Sequence, residues 1–422
     1  MRYSEKLTEF LDYNPKIPLI FWITFQKFAY FKKKMYICKV IKDHYFVMFQ
    51  RELQSIIIDK CFKQKAIILL GARQVGKTTL LKKIMQDQTD KVLYLNCDEP
   101  QTVSALTNRN LKELQMLIGA NKFVVIDEAQ KVDNIGLSIK IIVDNMPDVQ
   151  IIATGSSAFE LRNRLNEPLT GRKYEYQMFP ISTDEIYKTS GYIDVQRLLE
   201  PRLIYGSYPD ILNQQEDTQM LLRTLTDSYL YKDILATENL RKPDILDKLL
   251  RALAYQVGSE VSYNELAQIV GSDSKTVEKY IELLEKCFIV FRLNGLSRNL
   301  RNELKKAKKI YFYDNGIRNA VIQQFAPLDM RDDAGALWEN FFISERIKHN
   351  HYQQHYCNIY FWRTQSQQEI DYIEERDGMM SVFEMKWNTK KAKTTIPESF
   401  LKAYPVKESV IITPDNYLEW LI

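Results

Sequence analysis

The stretch GARQVGKTT, residues 71–79, constrains this chain more than any other part of it. It follows the apolar run KAIILL and leads into KTTLLKKIMQ, so a buried strand, a tight loop and a helix succeed one another without a break. With Gly71, Gly76, Lys77 and Thr78 it fits GxxxxGK[ST] in the strand–loop–helix setting that this motif requires. The glycines let the backbone of Gly71, Ala72, Arg73, Gln74, Val75, Gly76, Lys77, Thr78 and Thr79 turn its N–H groups inward around phosphate oxygens, and the helix N-terminus adds positive potential. Lys77 is expected on the β- and γ-phosphates of ATP, and Thr78 on Mg²⁺.

Downstream, KFVVIDEAQ carries four apolar residues up to Asp127 and Glu128. Open α/β sheets bind ligands at the carboxyl ends of their strands, which is where this acidic pair falls. Asp127 is expected to hold Mg²⁺, and Glu128 to orient and polarise the attacking water. In IIATGSSAFEL, Thr154, Ser156 or Ser157 suits a γ-phosphate sensor, while Ser156 or Ser157 equally suits the cap of the next helix. Arg172, in LTGRKYEY, is a candidate arginine finger, acting in cis or from a neighbouring subunit, which leaves a homo-oligomer open.

Short β-branched runs alternate with helical stretches from KAIILLG to VQIIATGSS, the pattern of a parallel sheet covered on both faces. Helical periodicity then takes over, with Pro201 and Pro209 punctuating a connecting lid. VSYNELAQIVGSDSKTVEKYIELLEKCFIVFRL reads as two helices, a Gly-Ser-Asp turn and an apolar strand, the outline of a winged helix-turn-helix. A mixed α/β unit follows: helix GALWENFFISERIK, strand NIYFWRT, and the hairpin EIDYIEERDGMMSVFEMKW.

Composition limits the partners. With 45% hydrophobic and 27% charged residues the chain can bury several cores, and its net charge of +4 over 422 residues means that any nucleic-acid footprint must be local. The run RNLRNELKKAKK, residues 298–309, is the candidate for DNA, with Arg298, Arg301, Lys305, Lys306, Lys308 and Lys309 able to follow a phosphate backbone; a solvated wing is the alternative. Five scattered cysteines without a CxxC pair suit reduced thiols and a cytoplasmic location. His349, His351 and His355 cluster near Cys357 but lack a second ligand pair at metal-site spacing, so a polar helix end is expected there rather than zinc. IPLIFWITF is too short to span a membrane and no cleavage site follows it. Residues 1–47 sit poorly with the rest, and translation is expected to begin at Met48, ahead of the amphipathic FQRELQSIIIDKCF.

The hairpin poses a problem. A two-residue turn at Asp377-Gly378 sets Asp371 opposite Glu384 and Glu369 opposite Lys386. The second pair is an ordinary cross-strand ion pair, but the first is two like charges face to face, which destabilises a sheet. A divalent cation between the carboxylates would remove the repulsion, with Lys386 beside it to stabilise a water nucleophile or the charge developing on a phosphodiester. Glu339, on the preceding helix, would complete the ligand set. This arrangement resembles the PD-(D/E)xK nuclease fold, in which a helical glutamate, a strand aspartate and a strand ExK converge on metal; Ile370 stands in place of the motif's proline.

The phosphate loop, IDEAQ, TGSSAFEL, LTGR and FPIS together resemble the prokaryotic AAA-type ATPases that carry a C-terminal domain of unknown function, and YGSYPDIL, YFYDNGIRNA and GALWENFF resemble that domain. The resemblance implies an α/β P-loop NTPase of AAA type with a helical lid, a winged helix-turn-helix and a C-terminal restriction-endonuclease-like α/β domain. The expected division is an extra segment 1–47, the ATPase with its lid 48–215, a helical and winged-helix region 216–310, and the nuclease-like domain 311–422. The expected function is Mg²⁺-dependent ATP hydrolysis coupled to DNA binding or processing. The rival is a nucleotide-switched regulatory or signalling ATPase whose C-terminal domain binds a partner without cutting. A small-molecule kinase fits less well, because glutamate follows Asp127 and the appended domains have no role in it.

Overall fold

All six residues of the strand Ala66–Gly71 (β1) are buried, as the run AIILLG demands: a strand without polar side chains has no face to give to water. The computed structural model describes residues 47–88, 90–156, 169–214, 217–237, 243–296, 308–364, 366–388 and 396–422. The segment expected to be extra, 1–47, lies outside them but for its last residue.

Strands β2 (Val92–Asn96), β3 (Phe123–Asp127), β4 (Gln150–Gly155) and β5 (Lys173–Met178) join β1 in a sheet of order β2-β3-β4-β1-β5, parallel at every bonded pair. Helices α1 (Leu53–Lys60), α2 (Lys77–Gln86), α3 (Pro100–Leu106), α4 (Leu111–Ile118) and α5 (Ile135–Asn145) precede and link these strands, as parallel pairs require crossovers. The register aligns Leu70 with Gly155, Ile126 with Ala153 and Asn96 with Asp127. The loop 71–78, the pair Asp127-Glu128 and the segment Thr154–Ser156 therefore emerge on one edge. Gly71 has to be glycine there, because a Cβ would lie 2.3 Å from the carbonyl oxygen of Met178.

A helical stretch follows: α6 (Thr183–Ser190), α7 (Tyr192–Tyr205), α8 (Pro209–Asn213), α9 (Thr218–Thr237) and α10 (Pro243–Tyr255). The Gly-Ser-Asp turn read from the sequence joins α11 (Tyr263–Val270) to α12 (Ser274–Lys286): Gly271 takes φ 69° as the C-cap of the first, and the Asp273 carboxylate accepts from Thr276 N at 3.0 Å as the N-cap of the second.

The strands around this helix pair do not form a separate wing. Among the described residues β6 (Glu260–Val261), β7 (Val290–Gly295), β8 (Lys308–Phe312), β9 (Asn358–Arg363), β10 (Glu369–Arg376), β11 (Met379–Met385) and β12 (Val406–Ile412) make one sheet of order β12-β11-β10-β9-β7-β8-β6. The joint is the parallel pairing of Asn294 with Tyr360 and Gly295 with Phe361. The division expected at 310/311 thus falls inside β8 and is not a structural boundary. A pairing between strands some 65 residues apart leaves no local periodic signal, so a reading by segments cuts the sheet in two.

Helices α13 (Asn315–Ile322), α14 (Ala334–Tyr352) and α15 (Glu398–Leu401) complete the C-terminal part. Among the described residues no helix is long and apolar enough to cross a membrane, and Cys61, Cys97, Cys287 and Cys357 form no disulfide. Buried residues occupy every side of α14, including Trp338, Phe342 and the charged pair Glu345 and Lys348. Glu345 accepts from Thr183 N (2.6 Å) and Thr183 Oγ1 (2.7 Å) at the start of α6, and pairs with Arg202 of α7 (3.0 Å) and Lys348 (2.6 Å). Burial works to raise its pKa, but Arg202 and Lys348 overcome that and leave it at about 2.

Truncating Glu345 to alanine strands two buried cations, and the expected loss is about 3–5 kcal/mol in a denaturant titration at pH 7. Because the folded pKa lies below the ordinary 4.5, the wild-type contribution is complete above that value and fades as pH falls toward 2; a variant as stable as wild type at pH 7 contradicts this account.

Candidate functional site

The backbone of the phosphate loop turns through two residues of positive φ, Gln74 (59°) and Gly76 (96°), before α2 begins. Ala72, Val75 and Lys77 are buried, Arg73 and Thr78 partly so, and Gln74 and Thr79 are exposed. The ammonium of Lys77 donates to the carbonyls of Gly71 and Ala72, each at 2.8 Å, so the loop is closed on its own lysine. Thr78 Oγ1 donates to Asp127 Oδ2 at 2.9 Å. That oxygen also accepts from Tyr94 OH (2.7 Å), and the other carboxylate oxygen accepts from Thr154 Oγ1. Burial, and then the bond to Asp127, push the Tyr94 phenol far up, so it stays a donor.

Glu128 takes a left-handed backbone (φ 54°, ψ 42°), an unfavourable conformation for a residue with a Cβ. Its Oε2 accepts from Gln130 Nε2 at 2.6 Å and from Ser156 Oγ at 3.4 Å, while Gln130 Nε2 also reaches Ser156 Oγ at 3.0 Å. Thr154 and Ser156 thus stand against the two acidic residues, one each. Ser157, the other residue considered as sensor or cap, lies outside the described residues.

Besides Tyr94 and Gln130, two further contributors escaped the sequence reading. Arg51, buried just before α1, donates to the loop carbonyl of Val75 (2.6 Å) and to Phe179 O (2.6 Å), and pairs with Glu185 (2.8 Å). A small cleft of 150 Å³ opens beside Gln74, lined by Tyr208, Asp210, Ile211, Leu221, Thr224 and Leu225. The YGSYPDIL stretch supplies part of it, but only a tertiary contact brings that stretch to the loop.

Arg172 lies elsewhere. Its carbonyl accepts from Ala66 N at the amino end of β1, so it stands on the opposite edge of the sheet from the phosphate loop, about 20 Å along a six-residue strand. It is 40% exposed and paired with Asp144 at 2.6 Å. A finger acting in cis on its own loop is not compatible with this position.

In the C-terminal sheet, Tyr372 pairs with Phe383 and Arg376 with Met379. One step further the same register puts Asp371 against Glu384, as the turn Asp377-Gly378, with both φ positive (53° and 77°), dictates. The backbone pairing stops at that step, because Asp371 Oδ2 accepts from Met385 N at 2.9 Å. Lys386 pairs with Glu384 at 3.2 Å, not with Glu369, the cross-strand partner expected for it. Glu369 pairs instead with Lys309 of β8, at 2.6 Å. Glu339, from α14, accepts from Tyr311 OH at 2.5 Å and pairs with Lys309 at 3.3 Å.

Among the described residues no three His, Cys, Asp or Glu side chains stand as a metal-ligand set. Glu339, Asp371 and Glu384 neighbour one another without forming such a set: the first bonds Lys309 and Tyr311, the second accepts from a backbone N–H and shares a hydrogen bond with Glu384, and the third also pairs with Lys386. Burial first, and then Asp371, push Glu384 up to about 8. Burial likewise pushes Glu339 up to about 7, with Lys309 opposing and Asp371 assisting. Of the histidines, the rings of His349 and His355 lie 6.2 Å apart, whereas His351 Nε2 accepts from Gln177 N at 3.0 Å and burial holds its pKa down at about 4.

Of the basic run 298–309, residues up to 307 lie outside the described ones. Lys308 is near Glu278 (3.8 Å) and over the Tyr263 ring, whereas Lys309 points into the acidic cluster and is 2% exposed. Lys309 is therefore not a surface contact for phosphate, as the run had suggested.

Residues 63–187 match the model of an AAA domain, residues 196–328 that of a domain of unknown function (DUF8612), and residues 334–421 that of another (DUF4143). An uncharacterized protein of Haemophilus influenzae is 26% identical over 280 residues, 60% of this chain and 68% of its own length. One of Methanocaldococcus jannaschii is 26% identical over 300 residues, 61% of this chain and 63% of its own. A solved structure, the Signal Transduction ATPase with Numerous Domains protein with a tetratricopeptide repeat sensor from Pyrococcus horikoshii, overlaps 74% of this chain and 48% of that one at 12% identity, with a TM-score of 0.30. The AAA match and the C-terminal match at 334–421 agree with the AAA-type ATPase class expected from the sequence.

The raised acids give a pH dependence. Between the ordinary 4.5 and about 8 the folded protein holds a proton on Glu384 that the unfolded chain does not, so wild-type stability falls as pH rises through this window. In metal-free buffer Glu384→Gln is expected to raise the melting temperature, more at pH 8 than at pH 6; a variant that melts lower than wild type at both values would reject the assignment.

Proposed function

We propose that this AAA-type chain is a Mg²⁺-dependent ATPase that uses its nucleotide cycle to reposition its C-terminal part on DNA. The observation that carries the reading is Thr78 and Asp127 held 2.9 Å apart beside the phosphate loop, with Glu128 adjacent. Thr78 and Asp127 fit Mg²⁺, since a hydroxyl and a carboxylate oxygen already share one spot, and the ion would supply neutralisation of phosphate charge there. On ATP binding Lys77 exchanges the Gly71 and Ala72 carbonyls for phosphate oxygens. Glu128 exchanges Gln130 and Ser156 for the attacking water, which it orients and polarises.

The route from this site to the C-terminal part is a run of buried bonds. Arg51 holds Val75 of the loop and Phe179; Phe179 N donates to Tyr352 OH at 3.1 Å, and Thr183 to Glu345, both acceptors lying on α14. Nucleotide shifts the position of α14 only through bonds that differ between the two states, and the loop carbonyls are such bonds. DNA as the partner rests on the basic residues of 298–308, Lys309 being buried, and on the helix pair α11–α12. Arg172, far from its own loop, suits a finger offered to a neighbouring copy. Metal-dependent cutting by the C-terminal domain is a second reading, favoured by the gathering of Asp371, Glu384 and Lys386 on one hairpin.

Lys77→Ala is expected to abolish ATP binding. Glu128→Gln is expected to keep it while lowering the turnover rate about 10²–10⁴-fold, measured as phosphate release with Mg²⁺. Gel shifts of DNA that change between ATP and ADP without strand cleavage support the first reading; plasmid nicking with Mn²⁺ that is lost in Glu384→Ala and Lys386→Ala supports the second. Full turnover in Glu128→Gln removes the assigned role of that residue.

A further inference from the structure

Lys309 is the most deeply buried cation of the acidic cluster. It leaves β8, reaches past the Phe361 ring at 5.4 Å, and places its ammonium 2.6 Å from Glu369 and 3.3 Å from Glu339. Tyr311, two residues along β8, donates to the same Glu339 oxygen. Asp371 and Glu384 stand alongside with Lys386, so four carboxylates share two ammonium groups and one phenol. A divalent ion entering this cluster would meet a fixed positive charge in low-dielectric surroundings and would have to break both Lys309 ion pairs.

We propose that Lys309 is the resident cation of this cluster, filling the place where a divalent metal would bind, so that the C-terminal domain keeps its acids together without metal. The inference builds on reading the cluster as nuclease-like, and it assigns that site a tethered ammonium as occupant. Three features carry it: the near-complete burial of Lys309, its two short ion pairs, and the absence of a three-ligand metal set among the described residues.

The test is Mn²⁺ binding to the full chain without nucleotide, followed by electron paramagnetic resonance of the free ion. Wild type and Asp371→Asn are expected to bind Mn²⁺ alike. Lys309→Met, which keeps the length and removes the charge, is expected to gain a Mn²⁺ site at least roughly tenfold tighter than any in wild type, lost again in Lys309→Met with Asp371→Asn. Lys309→Arg should behave as wild type. Mn²⁺ held by wild type and released by Asp371→Asn overturns the proposal, and so does a folded Lys309→Met that gains nothing. If Lys309→Met does not fold, the comparison of wild type with Asp371→Asn decides. ATP turnover measured on the same preparations reports on the phosphate loop separately, so loss of that reading is distinguishable from loss of this one.

Discussion

One buried carboxylate, Glu345, gathers most of the charged contacts between the nucleotide-binding part of this protein and the rest. Glu345 is withdrawn from water, where an unpaired charge would cost several kcal/mol, and it survives there because two cations and two Thr183 donors meet it. The partners come from α6, α7 and α14, so the requirement of one charge fixes three helices together. Arg202 also stacks over Phe341 at 4.9 Å, tying the ionic joint to the apolar core. Satisfied buried charge of this kind specifies geometry more than it adds stability, because only one mutual placement of the helices satisfies every group.

The same helix carries the contrast. Six residues before Glu345, Glu339 is partly buried (17% exposed), yet its pKa is pushed up to about 7 where that of Glu345 falls to about 2. Identical side chains on one helix diverge because Glu345 has two cations, Arg202 and Lys348, whereas Glu339 shares Lys309 with Glu369 and feels Asp371. One end of α14 is electrostatically complete and the other is short of positive charge. An acid cluster held in deficit binds protons or cations readily, and that deficit answers why a hairpin sets Asp371 against Glu384: burial and local protonation bear the repulsion in the described arrangement.

What was legible in the sequence is what is local. The phosphate loop declares itself because strand, glycines, lysine and helix are contiguous, and the acidic pair after FVVI declares itself because a buried strand must end at the sheet edge. The hairpin register followed from Asp377-Gly378, since a two-residue turn of two positive φ values permits one alignment. Arg51, Tyr94 and Gln130 gave no signal, being polar residues whose meaning lies in partners 24, 33 and 26 residues away. Lys309 misled: a run of lysines looks like a wet surface, and nothing in the run tells which member turns inward. The β7–β9 pairing was invisible for the same reason, and a segment-by-segment reading made two domains of one sheet.

The polar groups of the phosphate loop find partners within the protein, and a bound nucleotide has to compete with them. Lys77 has carbonyl acceptors, Asp127 has three hydroxyl donors, and Glu128 has an amide and a hydroxyl. Phosphate therefore wins only by the difference between charged acceptors and the neutral ones they replace, since an exchanged hydrogen bond contributes little net while a charge-assisted one contributes more. The carbonyls of Gly71 and Ala72, once released, sit one turn from the Val75 carbonyl that Arg51 holds, and Arg51 in turn is anchored on Glu185 and Phe179 at the foot of the ionic joint. On the proposed reading, a loop that reshapes around phosphate moves Arg51, which fastens it to α6 and, through Thr183 and Glu345, to α14. Sensing and transmission would, on that same reading, use the same bonds, carried by buried arginines and carboxylates and not by surface side chains of the lid.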